Sequence, residues 1–343
     1  MKNKRGFASD NNSRVHPAIL KAIASINEGH VIGYGEDPYT KRVITLFKKH
    51  FGENIDVYFV ATGTAANVLG IKAVTETFNS VLCPESAHLY VDECGAPENF
   101  IGCKIIPIRT TDGKLSPDLI KPYLTGIGIE HHVQPKVISI SQSTEFGTVY
   151  NIKELKALAD FAHKNNLLLH MDGARIANAA AYLNASLRAI TRNVGIDILS
   201  FGGTKNGMMY GEAVIFFNKE MSKNFKYIRK QGMHLLSKMR YISIQFETLL
   251  SNNLWLENAK HANKMAQLLA NAIKDMPKVK ITQKVESNAV FATIPKEAMA
   301  PLQREYFFYV WNEQTSEVRW MTSFDTTEED IDNFVALIKK ICK

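Results

Sequence analysis

A lysine follows two glycines at the end of an apolar run in Asp197-Ile198-Leu199-Ser200-Phe201-Gly202-Gly203-Thr204-Lys205. A lysine just past a strand end sits where α/β sheets place their ligands. Partial burial lowers the pKa of such an amine and makes it nucleophilic, as Schiff-base chemistry requires. Glycines beside it would let the backbone approach a ligand closely. Taken alone, Lys205 is more often a solvated lysine in a glycine-rich turn.

Two other segments change that balance. Leu167-Leu168-Leu169-His170-Met171-Asp172-Gly173-Ala174-Arg175 is an apolar run closed by an acid. A carboxylate at the end of a buried strand is costly unless it is paired. Its partner could be Arg175, in a structural ion pair, or a cationic ligand. Ala61-Thr62-Gly63-Thr64-Ala65-Ala66-Asn67 reads as a strand end, a short turn and a helix start. A helix start offers free N–H groups and a positive dipole end to a phosphate, although a threonine N-cap alone is common. The turn has neither the lysine of a P-loop nor the GxGxxG of a dinucleotide fold, which argues against a nicotinamide-dependent dehydrogenase. Together the three segments supply a phosphate cradle, a partner for a pyridinium nitrogen and a lysine for an aldehyde. Those are the needs of pyridoxal phosphate, whose protonated ring is an electron sink.

The elements around these residues read as an α/β protein. Apolar runs at 57–60, 80–83, 104–108, 137–140, 167–170, 196–201 and 213–217 are predicted strands. Helical patterns fall between them, at 65–77 and most clearly at 152–165. Continuous apolar strands separated by helices indicate a mostly parallel sheet covered on both faces. Beyond residue 222 a long helical stretch is expected, broken near Asn252-Asn253. Short strands follow at 279–282, 289–294, 307–311 and 318–320, and a patterned helix at 328–341. The division expected is a large domain with the N-terminal segment over 1–250 and a small α+β domain over 251–343.

Bulk properties set limits. The 343 residues suffice for two domains. Net charge is +7, but no Lys/Arg block with interleaved aromatics suggests nucleic acid; a basic surface favouring anionic ligands is expected. The four cysteines form no CxxC pair, no histidines stand at zinc-finger spacing, and no metal is assigned. So few cysteines suggest a reducing compartment. The start has no apolar signal region, and no run approaches a membrane span. A cytoplasmic protein is expected.

Across nearly its whole length the sequence resembles the L-threonine aldolases among the fold-type-I pyridoxal phosphate enzymes. The resemblance rests on FASDN at 7–11, YGEDP at 34–38, ATGTAAN at 61–67, ESAH at 85–88, SQSTEFGTVY at 141–150, MDGAR at 171–175 and GGTKNG at 202–207. It implies an aspartate-aminotransferase-like large domain with a seven-stranded sheet. It also implies cleavage of threonine, allo-threonine and related β-hydroxy-α-amino acids to glycine and an aldehyde. Lys205 then resembles the Schiff-base lysine, Asp172 the pyridine-nitrogen partner, and Gly63 and Thr64 phosphate binders. His88 resembles the histidine stacked on the cofactor, and His132 a second one contacting the substrate hydroxyl; either could serve as base. Ser9, Arg175 and Arg319 match the substrate-carboxylate site, with Arg175 also adjoining the cofactor. Tyr34 would line the substrate pocket, and Arg240 would reach the phosphate of a neighbouring subunit in a homodimer or homotetramer. Other fold-type-I enzymes, aminotransferases and β-eliminating lyases, share the lysine, the aspartate and the cradle. The chain departs from the family where many members have an acidic-Asn-Thr-His segment; it has Ser141-Gln142-Ser143-Thr144-Glu145. Where many members have a glycine-rich stretch before the arginine, it has 235–239.

Overall fold

The apolar runs become strands of one sheet in a computed structural model that describes residues 4–342. They are β1 (Asp56–Val60), β2 (Asn79–Pro84), β3 (Lys104–Ile108), β4 (Gln134–Ser141), β5 (Leu168–Gly173), β6 (Ile198–Gly202) and β7 (Glu212–Phe216). Their order is β1-β7-β6-β5-β4-β2-β3. Neighbours from β6 to β3 are parallel, and β7 runs antiparallel to both β6 and β1. Parallel strands buried on both faces are apolar at nearly every position, which is why their runs stand out in the sequence. The carboxyl ends of β2, β4, β5 and β6 share one edge, where open α/β sheets bind ligands. ESAH, SQSTE, MDGAR and GGTK lie at those four ends.

The helix after β1 spans Gly63–Lys72 and is capped by Thr62, whose hydroxyl accepts from Ala65 N–H at 3.2 Å. It stops five residues short of the expected end. Asn79 closes the following turn, its side chain accepting from Glu76 N–H at 2.8 Å and its own N–H donating to Glu76 O at 2.9 Å. The helices Ile152–Lys164 and Glu328–Ile341 both start in capping boxes, Asn151 with Glu154 and Thr327 with Asp330. Asn252 and Asn253 take left-handed φ of 52° and 59° and break the helical stretch, as expected.

A second, antiparallel sheet has the order β10-β11-β9-β8, from β8 (Lys280–Ile281), β9 (Ala289–Thr293), β10 (Tyr309–Asn312) and β11 (Glu317–Met321). Its core gathers Trp320, Phe308 and Phe334. The N-terminal segment joins this core rather than that of the large sheet. Phe7 stacks on Phe334 with centroids 4.3 Å apart, donates from its N–H to Phe307 O at 2.8 Å and accepts from Met321 N–H at 2.8 Å. The helix Leu254–Ile273 spans both cores: Trp255 and Ala259 pack with the large sheet, and Met265 to Ile273 with the small one. No described helix is long and apolar enough to cross a membrane.

Candidate active site

Two cavities meet at the carboxyl edge of the large sheet, and Lys205 and His88 border both. The first, of about 360 Å³, is lined by Thr62, Gly63 and Thr64 at one helix start, by Asp172 at the end of β5, and by Lys205. Lys205 stands in a single 3₁₀ turn, Thr204–Asn206, closed by Gly207 at φ 98°. The two glycines before it serve packing. A Cβ on Gly202 would lie 2.5 Å from Ala174 O, and one on Gly203 would overlap Met208 Sδ. β6 can therefore end against the 172–175 loop only with glycine there. Asp172 Oδ1 accepts from Ala174 N–H at 2.9 Å, and Oδ2 from Asn67 Nδ2 at 2.8 Å. Burial pushes its pKa up, but Lys205, His88 and these two donors outweigh burial and hold it below the usual carboxylate range. Arg175 is not its ion-pair partner.

The second cavity, of about 600 Å³, includes Ser9, Glu145, Arg175, Trp311 and Arg319. Arg175 is paired through two parallel bonds with Asp10: Nε to Oδ2 at 2.7 Å and Nη2 to Oδ1 at 2.8 Å. Both are buried. Desolvation opposes each charge, but the mutual attraction outweighs it, lowering the Asp10 pKa and raising that of Arg175. Asn288, just before β9, also donates to Asp10 Oδ2, at 3.1 Å. Arg319, on β11, lies 5.1 Å from the Trp311 ring centre and 5.8 Å from that of Tyr309, and bonds Ala8 O at 3.4 Å. Its buried Nε has no partner. Burial and then repulsion from Arg175 lower its pKa. Two mostly buried guanidiniums, one only partly satisfied, give this cavity the charge and geometry that a carboxylate would need.

Two carboxyl side chains extend the site beyond the sequence reading. His88 Nδ1 lies 3.0 Å from Oε1 of Glu93, whose side chain is fully buried. The Glu93 bond raises the His88 pKa against the effect of burial. Glu212 begins β7 opposite Gly202 and lines the first cavity. It accepts from Gly203 N–H at 2.7 Å and from the Thr204 side chain, and burial pushes its pKa up to about 7. Asp10, Glu93 and Glu212 lie in or near the quoted motifs, but Asp10 meets Arg175 165 residues on and the others meet partners across turns that follow no helix or strand period, so spacing alone did not single them out.

Three expected residues lie elsewhere in the chain. His132 precedes the amino end of β4, whereas Asp172 pairs with Ser141 at the carboxyl end of that strand. The length of β4, roughly 25 Å at a strand's rise per residue, separates them. His132 is exposed, and its carbonyl accepts from Gln134 Nε2. His132 therefore borders neither cavity of its own chain, and a loop carries no periodicity to show which end of a strand it serves. Tyr34 and Arg240 border neither cavity. Tyr34 N–H bonds Ser237 O at 2.9 Å, and Arg240 Nη1 bonds Glu28 O at 3.3 Å on the same exposed face.

The donor set of the first cavity fits pyridoxal phosphate. An amine, a carboxylate kept ionised and an uncovered helix start border one space, and a Cβ on Gly63 would meet nothing within 4 Å. The model of the beta-eliminating lyase family matches residues 6–297. A low-specificity L-threonine aldolase of Pseudomonas sp. is 40% identical over 336 residues, covering 98% of this chain and 97% of that one. A low-specificity L-threonine aldolase of Pseudomonas aeruginosa is 41% identical over 327 residues, covering 95% and 94%. Among solved structures, the threonine aldolase of Leishmania major superposes with a TM-score of 0.93 at 29% identity, covering 99% of this chain and 100% of that one.

Proposed function

The chain belongs to the beta-eliminating lyase family, in its low-specificity L-threonine aldolase branch, and from that membership we propose how its residues divide the work. The reaction is cleavage of L-threonine and L-allo-threonine to glycine and acetaldehyde, with pyridoxal phosphate as cofactor. One observation carries the assignment of roles: Lys205 and His88 border both the cofactor cavity and the arginine cavity.

Lys205 would hold the cofactor's aldehyde carbon until an amino acid replaces it. The N–H groups of Gly63 and Thr64 would hold the phosphate, and Asp172 would keep the ring nitrogen protonated. When bound, the cofactor supplies an electron sink for the bond that breaks. Arg175 has Nε and Nη2 committed to Asp10, so Nη1 is left to grip the substrate carboxylate. The Arg319 guanidinium and the Ser9 hydroxyl, which border the same cavity, would complete that grip. A carboxylate fixed there would set the rotation about the α-carbon, and with it which of that carbon's bonds is presented for cleavage. His88 would take the β-hydroxyl proton at Nε2, the ring nitrogen not facing Glu93.

Tyr34, Arg240 and His132 could meet a Lys205 only in a neighbouring subunit. The exposed Ile32, Tyr34 and Met233 support a homodimer or homotetramer joined on that face. All four cysteines are free thiols, which supports the cytoplasm.

The test is chemical. Purified protein should be yellow, borohydride should fix the cofactor to Lys205, and threonine should yield glycine and acetaldehyde. K205A should lose turnover. Colourless protein that takes up no cofactor, a keto acid as product, or turnover surviving K205A would overturn the reading.

A further inference from the structure

Glu93 borders neither cavity, yet it is positioned with unusual care. It follows the short helix His88–Val91, and the next two residues, Cys94 and Gly95, take left-handed φ of 52° and 68°. That reversal turns Glu93 inward beneath the helix Gly63–Lys72. Its side chain is fully buried, and burying a carboxylate costs several kcal/mol unless donors offset it. Oε1 has two donors, His88 Nδ1 at 3.0 Å and Asn67 Nδ2 at 2.9 Å, while Oε2 has none.

Asn67 carries the connection onward. Its Nδ2 also donates to Asp172 Oδ2 at 2.8 Å. Both N–H groups are thus spent on carboxylates. Turning the amide over would set its oxygen against two acceptors, so the orientation follows from the partners. A continuous chain runs His88–Glu93–Asn67–Asp172, from the histidine shared by both cavities to the acid at the end of β5. Glu93 and Asn67 lie behind the two residues that would touch ligand.

We propose that Glu93 is the positioning residue for the reaction: it accepts the Nδ1 proton of His88 and so presents the Nε2 lone pair to the substrate's β-hydroxyl. Asn67 fixes the acceptor's place by tying it to Asp172. The inference rests on His88 being the base. A neutral imidazole carries one proton, and a carboxylate at Nδ1 keeps it on that side. Without the carboxylate, the proton can sit on Nε2, where the ring cannot act as a base. The charged groups acting on His88 are Glu93, Asp172, Glu145 and Lys205; all but Lys205 favour its protonated form, with Glu93 the strongest.

The experiment is ¹⁵N NMR of histidine-labelled apo-protein beside steady-state kinetics of the holoenzyme, with H88N identifying the His88 signals. Wild-type His88 should carry its neutral-state proton on Nδ1 and titrate above free histidine. E93Q should lower that titration by about one pH unit, carry the acidic limb of kcat/KM with it, and reduce kcat by about 10- to 100-fold. KM for threonine should change less than about twofold, because the arginines holding the carboxylate are elsewhere. E93D should recover part of the titration and of kcat. An Nε2-protonated neutral His88 in the wild type, or a titration and pH profile unmoved in E93Q, would overturn the proposal. With H88N assigning the signals, the wild-type spectrum decides the matter even if E93Q and E93D do not fold. If H88N leaves turnover intact, His88 is not the base; if H88N abolishes turnover while E93Q leaves the titration and profile unmoved, only the role of Glu93 fails.

Discussion

Replacing Asp10 with alanine isolates the pair that aims Arg175. Asp10 is 1% exposed and the Arg175 side chain 10%, so neither charge has water to fall back on. Removing one member of a buried pair leaves the other uncompensated, at a cost of about 3–5 kcal/mol. That is roughly two to four powers of ten in the folded-to-unfolded ratio, or about 1–2 M in the urea midpoint. D10N keeps one acceptor without the charge and should cost about half as much. In D10A/R175M no charge is stranded, so the double variant should cost less than the two single changes added together. Threonine KM should rise about tenfold in D10N, because one good charge-assisted bond then aims Arg175 less well. The Asp10 pKa is depressed on folding, so its contribution is present above the ordinary value of 3.8 and is lost as pH falls through the lower folded value. The wild-type-minus-D10N difference should therefore be flat from about pH 5 to 8 and shrink only in stronger acid. The assay is urea unfolding of each variant as holoenzyme, with KM measured on the same preparations. A D10A protein within about 1 kcal/mol of wild type, with unchanged KM, would refute this account of the pair.

Arg319 should behave in the opposite way to Asp10: its Nε has no protein partner and Arg175 repels it, so R319M should leave apo-protein stability level or higher while raising threonine KM by about 10- to 100-fold, read by unfolding and by kinetics. G202A should cost about 2–4 kcal/mol in an unfolding titration, because its new Cβ meets backbone, which yields less than a flexible side chain. Glu212 is an acid whose folded pKa is raised, to about 7, so the folded state holds an extra proton between its ordinary value of 4.5 and that point. The wild-type-minus-E212Q difference in apo-protein stability should accordingly fall as pH rises through that window, by at most about 3 kcal/mol.

Features that repeat or that sit at a chain boundary were legible in the sequence. The strands of the large sheet are continuous apolar runs, and the Asn252-Asn253 break announces itself through two residues that tolerate left-handed backbone. Lys205, Asp172 and Thr62-Gly63-Thr64 were legible because each lies at a strand end, and the sheet brings those ends together. Pairing across long separations was not. Nothing near Asp10 indicates that its counter-charge lies 165 residues on, and the joining of Phe7 to the small-domain core depends on residues 307, 321 and 334. Gly202 lines the first cavity, as expected of a glycine beside a ligand, but the need for glycine at 202 and 203 also comes from Ala174 and Met208, contacts fixed by how two loops pack. His132 was placed by likeness in a loop, where the sheet's direction is not written.

The tether at Phe7 bears on how the molecule comes to be made. Phe7 leaves the ribosome well before its docking partners, Phe307 O and Met321 N–H, which follow about 300 residues later. Until then Phe7 has no anchor, and Asp10 has Arg175 within reach but lacks Asn288 for most of that time. The large sheet can form on the growing chain, since all seven of its strands lie before residue 217. Arg175 stands at that sheet's edge beside Lys205, but the cavity both border still lacks Trp311 and Arg319. The arginine cavity is thus whole only once Arg319, far along the chain from Ser9 and Arg175, has been added to it.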